Sequence, residues 1–333
     1  MSAGLLGTDT ALQDAFDVAL VDLDGVAYKG PHAIPSAPPA LEAARAAGMG
    51  VMFVTNNASR EPETVASHLS ELGIPCAPTE VMTAAQAGAE LLAEHVPAGE
   101  RVLVVGGAGL YTAVAAKGYE IVEDATEHPV AVIQGFSPDL GWRQLAEATY
   151  AINAGARFFA TNLDLTIPNE RGIAPGNGSL VGVVRTATGV TPLAAGKPEP
   201  AMLRMAARKA GASRPLMIGD RLDTDLKGAR AADIPGLLVL TGVNTARDAI
   251  LAVPGERPAF IGADLSTLAD AHPAPVLAEH WWHVGEARAR VTERRLVVDG
   301  GDALDRIRAA CAAAWDAADR GEQIDVETLP HFG

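Results

Sequence analysis

Asp22 and Asp24 stand two residues apart in "ALVDLDGVAYKG", directly after the apolar run "DVALV". Like charges held that close are costly unless something compensates them. Three further sets of polar residues occupy comparable positions. Thr55, Asn56 and Asn57 close the run "VMFVTNN", Lys197 lies in "AGKPEP" at a helix start, and Asp220 and Asp225 follow "PLMI" in "IGDRLDTD". Together these residue types suit one kind of chemistry. A carboxylate can attack phosphorus and hold the phosphoryl group as an acyl phosphate. It approaches a phosphate dianion only when that charge is neutralised. Magnesium prefers oxygen ligands and takes one or two carboxylates beside substrate phosphate, so Asp22 and Asp220 are suitable ligands. Lys197 adds a point charge. The Thr55 hydroxyl and the backbone N–H groups around Asn56 and Asn57 can hold phosphoryl oxygens. Asp24 can protonate a leaving alkoxide and then deprotonate the attacking water. Gly25 lets the chain turn there without a side chain in the way of the phosphate. Taken singly, each of these is an ordinary cap, turn or loop residue. The ordered set, each member at a strand end, is what points to a site.

The elements that must carry them alternate. "DVALV" precedes the helical "SAPPALEAARAAG", and "VMFVT" precedes "SREPETVASHLSELG", for which Ser59 is the expected N-cap and Gly73 the stop. Short apolar runs followed by helical patterns predict a parallel sheet covered on both faces, with ligands bound at the carboxyl ends of its strands. The alternation repeats through "RVLVVGG", "YEIV", "VAVIQG", "WRQLAEATYAINAG" and "RFFATN". After the Pro/Gly-rich "IPNERGIAPGNGS" and the helix "LVGVVRTATG", the first pattern resumes. The expected fold is a Rossmann-like parallel-sheet core at 1–83 and 191–275, interrupted by an inserted α/β cap domain at 84–190. A C-terminal extension follows at 276–333, read as a hairpin and an amphipathic helix over 302–320, a ββα tail.

A length of 333 residues suits two domains with an appendage, and 48% hydrophobic with 20% charged residues suits a globular core. The formal charge of −15 argues against nucleic acid and anionic membrane as partners, and requires any phosphate site to carry its own positive charge. Two cysteines, Cys76 and Cys311, make no disulfide framework. The first residues have neither a basic region nor a long apolar core, so no signal peptide is expected and the cytoplasm is the expected compartment. Cap and tail are candidate faces for a homo-oligomer.

Several stretches suggest other readings. In "RVLVVGGAGLYTA", Gly107 and Gly109 partly match a dinucleotide fingerprint, as in a nicotinamide-dependent oxidoreductase, but Thr112 stands where the third glycine belongs. "PGNGS" at a helix start reads as a turn and cap before it reads as an anion site. His280 and His283 flank two tryptophans without an evident third metal ligand. "ARARVTERR" reads as a solvated strand face. A catalytically silent metabolite sensor would have lost Asp22, Asp24 or Lys197, and all three are present.

With these residues in view, "DLDGV", "TNNAS", "GKP" and "GDRLDTD" resemble the four motifs of the haloacid dehalogenase superfamily. Within it they are similar to the phosphatases grouped with phosphoglycolate, 4-nitrophenyl and nagD-type nucleotide phosphatases. The resemblance covers about 17–265. It implies that Asp22 is the nucleophile and Asp24 the acid/base. It implies magnesium on Asp22, the Asp24 backbone carbonyl and Asp220, phosphate on Thr55 and Lys197, and Asp225 behind the metal ligands. It also implies that the inserted unit is the large α/β cap of this subgroup. One departure is Asp233, where relatives often have glycine. The cap stretch 161–179 offers Asn162, Asp164, Asn169, Glu170, Arg171 and Asn177, a mix suited to hydroxyls, with one full positive charge and no aromatic pair for a nucleobase or pyridoxal. A small phosphorylated metabolite of the polyol type is expected. The resemblance, through "GDRLDTD", "PGNGS" and the tail, points to glycerol 3-phosphate, ahead of phosphoglycolate, pyridoxal phosphate or a nucleotide. Transfer of the acyl phosphate to an acceptor other than water would use the same residues.

Overall fold

The computed structural model describes residues 4–169 and 171–332. The chain divides into two compact units, one formed by residues up to Met52 with those from Ala207 onward, the other by Phe53–Ala206. In the first unit, Phe260–Gly262, Gly236–Val239, Pro215–Gly219 and Val18–Val21 lie side by side in that order. All are parallel, with Leu20 opposite Met217, Ile218 opposite Leu237 and Leu238 opposite Ile261. They read as unbroken apolar runs because both faces are covered, and every residue of Val18–Val21 is buried. Gly50–Thr55, next in the sheet order, crosses from the first unit into the second, where Phe53–Thr55 pairs in parallel with Val81–Thr83.

The second unit has its own five-stranded parallel sheet, in the order Leu193–Ala194, Arg157–Ala160, Ala131–Gln134, Arg101–Val105, Glu120–Val122. Its strands all come from 101–194, close to the stretch expected as an insertion. The compact unit itself is wider, because the end of Gly50–Thr55 and the Lys197 loop also belong to it.

Most helices fall where the sequence pattern puts them, as Ala37–Ala46, Trp142–Asn153 and Pro200–Lys209. Ser59 is not an N-cap. The helix starts at Pro62 with Glu61 as its cap, because proline suits the first helical turn, and Ser59 turns back to Asn57 Oδ1 instead. The Pro/Gly-rich stretch forms a hairpin, Thr166–Asn169 with Gly172–Pro175, ahead of helix Asn177–Thr188. Asp233 holds φ +60, a conformation glycine adopts without cost and aspartate tolerates through local hydrogen bonding.

The C-terminal extension differs most from expectation. Four strands, not two, precede its helix: Val276–Ala278, Trp281–Val284, Ala287–Thr292 and Arg295–Asp299 form an antiparallel meander. Two of its turns are two-residue loops with both residues at positive φ, Glu279–His280 and Glu293–Arg294. Such turns usually carry Asn or Gly, so Glu-His and Glu-Arg conceal them. His280 is thus a turn residue. Trp281 lies against the Arg288 and Arg290 guanidiniums at 4.7 and 4.4 Å. The helix Ala303–Asp319 packs into the first unit's core with Leu238 and Ile261. Trp315 Nε1 donates to Ala249 O at 3.0 Å, and the buried Arg257 guanidinium donates to both Asp319 oxygens at 2.7 and 2.8 Å. No helix among the described residues is long and apolar enough to cross a membrane.

Arg308, on the same helix, donates to Ile261 O and approaches His272 Nδ1 at 3.1 Å. Burial, then the Arg308 charge, pushes the His272 pKa down from 6.5 to about 4. The folded state therefore holds His272 neutral between those values while the unfolded chain takes up a proton. The stability this confers is complete above about pH 6.5 and is lost as the pH falls towards 4, by roughly 3 kcal/mol at most. His272→Gln keeps an acceptor for Arg308 but cannot titrate. Its melting temperature should fall less between pH 6.5 and 4 than the wild type's, as thermal unfolding at stepped pH will show; parallel curves would contradict this assignment.

Candidate active site

The first unit gathers carboxylates. The ladder of Val18–Val21 runs one residue past the strand, since Asp22 N donates to Ile218 O at 2.9 Å. The chain then folds back on itself, with Val26, Ala27 and Tyr28 N–H groups all donating to Leu23 O. This loop leaves Asp22 half-buried and Asp24 exposed. Asp220 follows the neighbouring strand and is buried; its Oδ2 accepts from Val243 N at 2.7 Å. One oxygen each from Asp22, Asp220 and Asp225 lies within 4.8 Å of the others. Asp225, expected behind the ligands, also brings an oxygen within that distance. It arrives there through the turn Leu222–Leu226, with Oδ2 accepting from Arg221 N at 3.1 Å.

Glycines make the crowding possible. A Cβ on Gly242 would fall 1.9 Å from Asp220 Oδ2, and one on Gly25 would fall 2.4 Å from the same atom. Gly25 also has φ +85. Its lack of a side chain clears room for the Asp220 carboxylate, a nearer constraint than the phosphate path expected from sequence. Three acids this close, two of them buried, call for a cation, and an all-oxygen set is what magnesium takes. The donor set fits that ion.

The second unit gathers neutral donors and a lysine. Thr55, buried at the end of its strand, accepts from Asn57 N at 3.1 Å, which commits that N–H and orients the hydroxyl. Lys197 is 2% exposed, and its Nζ donates to Val54 O at 3.4 Å, beside Thr55 in the chain. Asn56, expected to offer its backbone N–H to phosphate, commits its side chain to other residues of the unit. Its Nδ2 donates to both Asp164 oxygens and to Lys197 O, and its Oδ1 accepts from Lys197 N. Asn57 Oδ1 likewise accepts from Ser59.

Two residues of the 161–179 stretch expected to meet substrate hydroxyls bond backbone groups instead. Asn162 Nδ2 donates to Asn56 O at 2.7 Å, and Asn177 Nδ2 donates to Asn162 O at 2.8 Å; both side chains are buried. Arg171 is exposed. Glu170 lies outside the described residues, as does the Asn169 side chain. "PGNGS" is a turn and cap: a Cβ on Gly178 would fall 2.2 Å from Leu163 O, so the helix start sits directly on the 162–166 loop. The dinucleotide-like "GGAG" is closed by packing, since a Cβ on Gly109 would meet Arg60 O at 2.7 Å. Among the described residues the three aspartates form the one group arranged to hold a metal ion, and His280 and His283 are not part of it.

Comparison with known proteins agrees with this chemistry. A family profile for haloacid dehalogenase-like hydrolases matches residues 19–120, and a second for HAD-like hydrolases matches 194–268. The chain is 43% identical over 310 residues to D-glycerol 3-phosphate phosphatase of Mycobacterium tuberculosis, covering 90% of this chain and 86% of that one. The crystal structure of glycerol phosphate phosphatase from M. tuberculosis in complex with magnesium is similar at a TM-score of 0.86 and 42% identity, over 92% of this chain and 93% of that one. The crystal structure of 4-nitrophenylphosphatase from Thermotoga maritima is similar at 0.72 and 30% identity, over 78% and 98%.

Proposed function

The chain belongs to the haloacid dehalogenase-like hydrolases and is a phosphatase, and from that premise we propose that it hydrolyses glycerol 3-phosphate to glycerol and phosphate through Asp22. The Asp22–Asp220–Asp225 cluster carries the chemistry. The substrate is supported by likeness to D-glycerol 3-phosphate phosphatase across nine-tenths of the chain, since the buried Asn162 and Asn177 are not available to choose it.

In this reading an Asp22 oxygen attacks phosphorus and the ester P–O bond breaks. Asp24, in its protonated form, gives its proton to the departing glycerol alkoxide. The carboxylate left on Asp24 then takes a proton from water as that water attacks the same phosphorus. The bond to Asp22 breaks, phosphate is released, and Asp24 is again protonated. Thr55 donates its hydroxyl to the phosphoryl oxygens and Lys197 neutralises part of their charge. Asp22 and Asp220, with the Asp24 carbonyl, would hold magnesium, with Asp225 beside them. Magnesium, when bound, offsets the negative charge that otherwise keeps a carboxylate from a phosphate. The stretch 84–190 is read as the α/β cap domain that the family resemblance implies. The free cysteines Cys76 and Cys311 suit a reducing, cytoplasmic setting.

Asp22→Asn should fold and lose turnover by more than about 10³-fold, because an amide forms no acyl phosphate. Ordinary steady-state turnover by this variant, with deamidation excluded by mass, would refute the covalent step. For the wild type, kcat/KM for glycerol 3-phosphate should exceed that for 2-phosphoglycolate, pyridoxal 5′-phosphate and mononucleotides by at least about tenfold, near 1.4 kcal/mol in the transition state. A tenfold preference for any of the others would overturn the substrate.

A further inference from the structure

We propose that Asp164 is a positioning residue for Lys197, acting through the Asn56 carboxamide; this rests on the reading of Lys197 as a phosphate binder.

The Asn56 carboxamide and the Lys197 backbone exchange two hydrogen bonds. Lys197 N donates to Asn56 Oδ1 at 2.9 Å, and Asn56 Nδ2 donates to Lys197 O at 2.9 Å. This is the exchange made by paired residues of an antiparallel sheet, and it fixes the backbone on both sides of the Lys197 Cα. It works in one orientation of the amide only. Turned over, Nδ2 would face the Lys197 N–H and Oδ1 the Lys197 carbonyl, two repulsions in place of two bonds. Asp164 decides between the orientations. Its carboxylate can only accept, and both its oxygens take Asn56 Nδ2, at 3.1 and 2.9 Å.

Asp164 is itself held. Its N–H donates to Asn162 Oδ1 at 3.1 Å, and Asn162 Nδ2 reaches Asn56 O. Asn177 in turn donates to Asn162 O. The two chain stretches approach closely enough only because residue 196 is glycine: a Cβ there would fall 2.7 Å from Thr161 O and 2.9 Å from Asn56 Oδ1. The far end of the relay is the Lys197 ammonium on Val54 O. A shift of the Lys197 backbone therefore moves the charge away from the Thr55 end of the strand. "TNN", "GKP" and "TNLD", three separate stretches of sequence, form one device for placing one cation.

The test uses the full-length, magnesium-loaded enzyme, with inorganic phosphate as competitive inhibitor. Lys197→Ala should raise the phosphate inhibition constant strongly. Asp164→Ala should raise that constant and KM together by about tenfold, leaving magnesium affinity unchanged. A merely structural role would lower kcat by reducing the active fraction and leave both constants as they are. The exchange Asn56→Asp with Asp164→Asn keeps volume and the contact between the two side chains, but leaves residue 56 with no proton to donate to Lys197 O. It should not restore phosphate affinity, and it decides the matter should Asp164→Ala fail to fold. Normal inhibition in Lys197→Ala would remove the premise about Lys197. Weakened inhibition in Lys197→Ala with normal constants in Asp164→Ala, or full recovery in the exchange, would overturn the role of Asp164.

Discussion

Three carboxylates held with oxygens within 4.8 Å of one another set the terms for the first unit. At an effective dielectric near 20, each pair at that distance repels by roughly 3 kcal/mol. No chain would keep such a group unless the remainder of the fold forced it and a cation repaid it. The forcing is visible. Asp22 and Asp220 leave adjacent parallel strands at the same end, so the sheet spacing itself brings them together. Gly25 and Gly242 remove the Cβ atoms that would push Asp220 away, and Gly219 does the same for Asp225, whose Cβ a side chain there would strike at 2.2 Å.

The second unit answers with directional bonds rather than charge crowding. Several of its polar residues, Asn162, Asn177 and Lys197 among them, are buried, and a buried donor or acceptor without a partner costs about 1–3 kcal/mol. Asn56, Asn162 and Asn177 meet that demand largely by bonding backbone groups of loops that would otherwise be loosely tied. Lys197 is deeply buried at the end of this network. A rigid placement suits the proposed role of this cation, meeting a phosphoryl group without first reorganising. The C-terminal meander and helix complete the first unit's core.

Much of this is legible in the sequence because it depends on position along strands. A parallel strand buried on both faces is an uninterrupted apolar run, so its end is easy to find, and Asp22, Thr55 and Asp220 stand at such ends. The lysine is marked by "GKP" and its place at a helix start. Local pattern does not encode the rest. Asn56, Asn162 and Asn177 have the same chemistry whether they face a ligand or the backbone, and only the three-dimensional path of the 161–164 loop assigns them to the backbone. Asp225 reaches the metal group through a widened helical turn that its spacing from Asp220 does not announce. The tail's extra strands are masked by tight turns built from Glu-His and Glu-Arg, residues that rarely hold positive φ. Ser59 loses the helix start to the proline that ends the "REP" following it.

Repulsion among these acids, and its relief by a cation, is the central claim. The direct measurement is the melting temperature of wild type and Asp220→Asn, each in excess chelator and in excess magnesium. The substituted carboxamide keeps an acceptor for Val243 N and removes one negative charge. The variant should therefore melt at or above the wild type in chelator, while magnesium should raise the melting temperature of the wild type alone. A wild type indifferent to magnesium, or a variant stabilised by it as much as the wild type, would contradict the account.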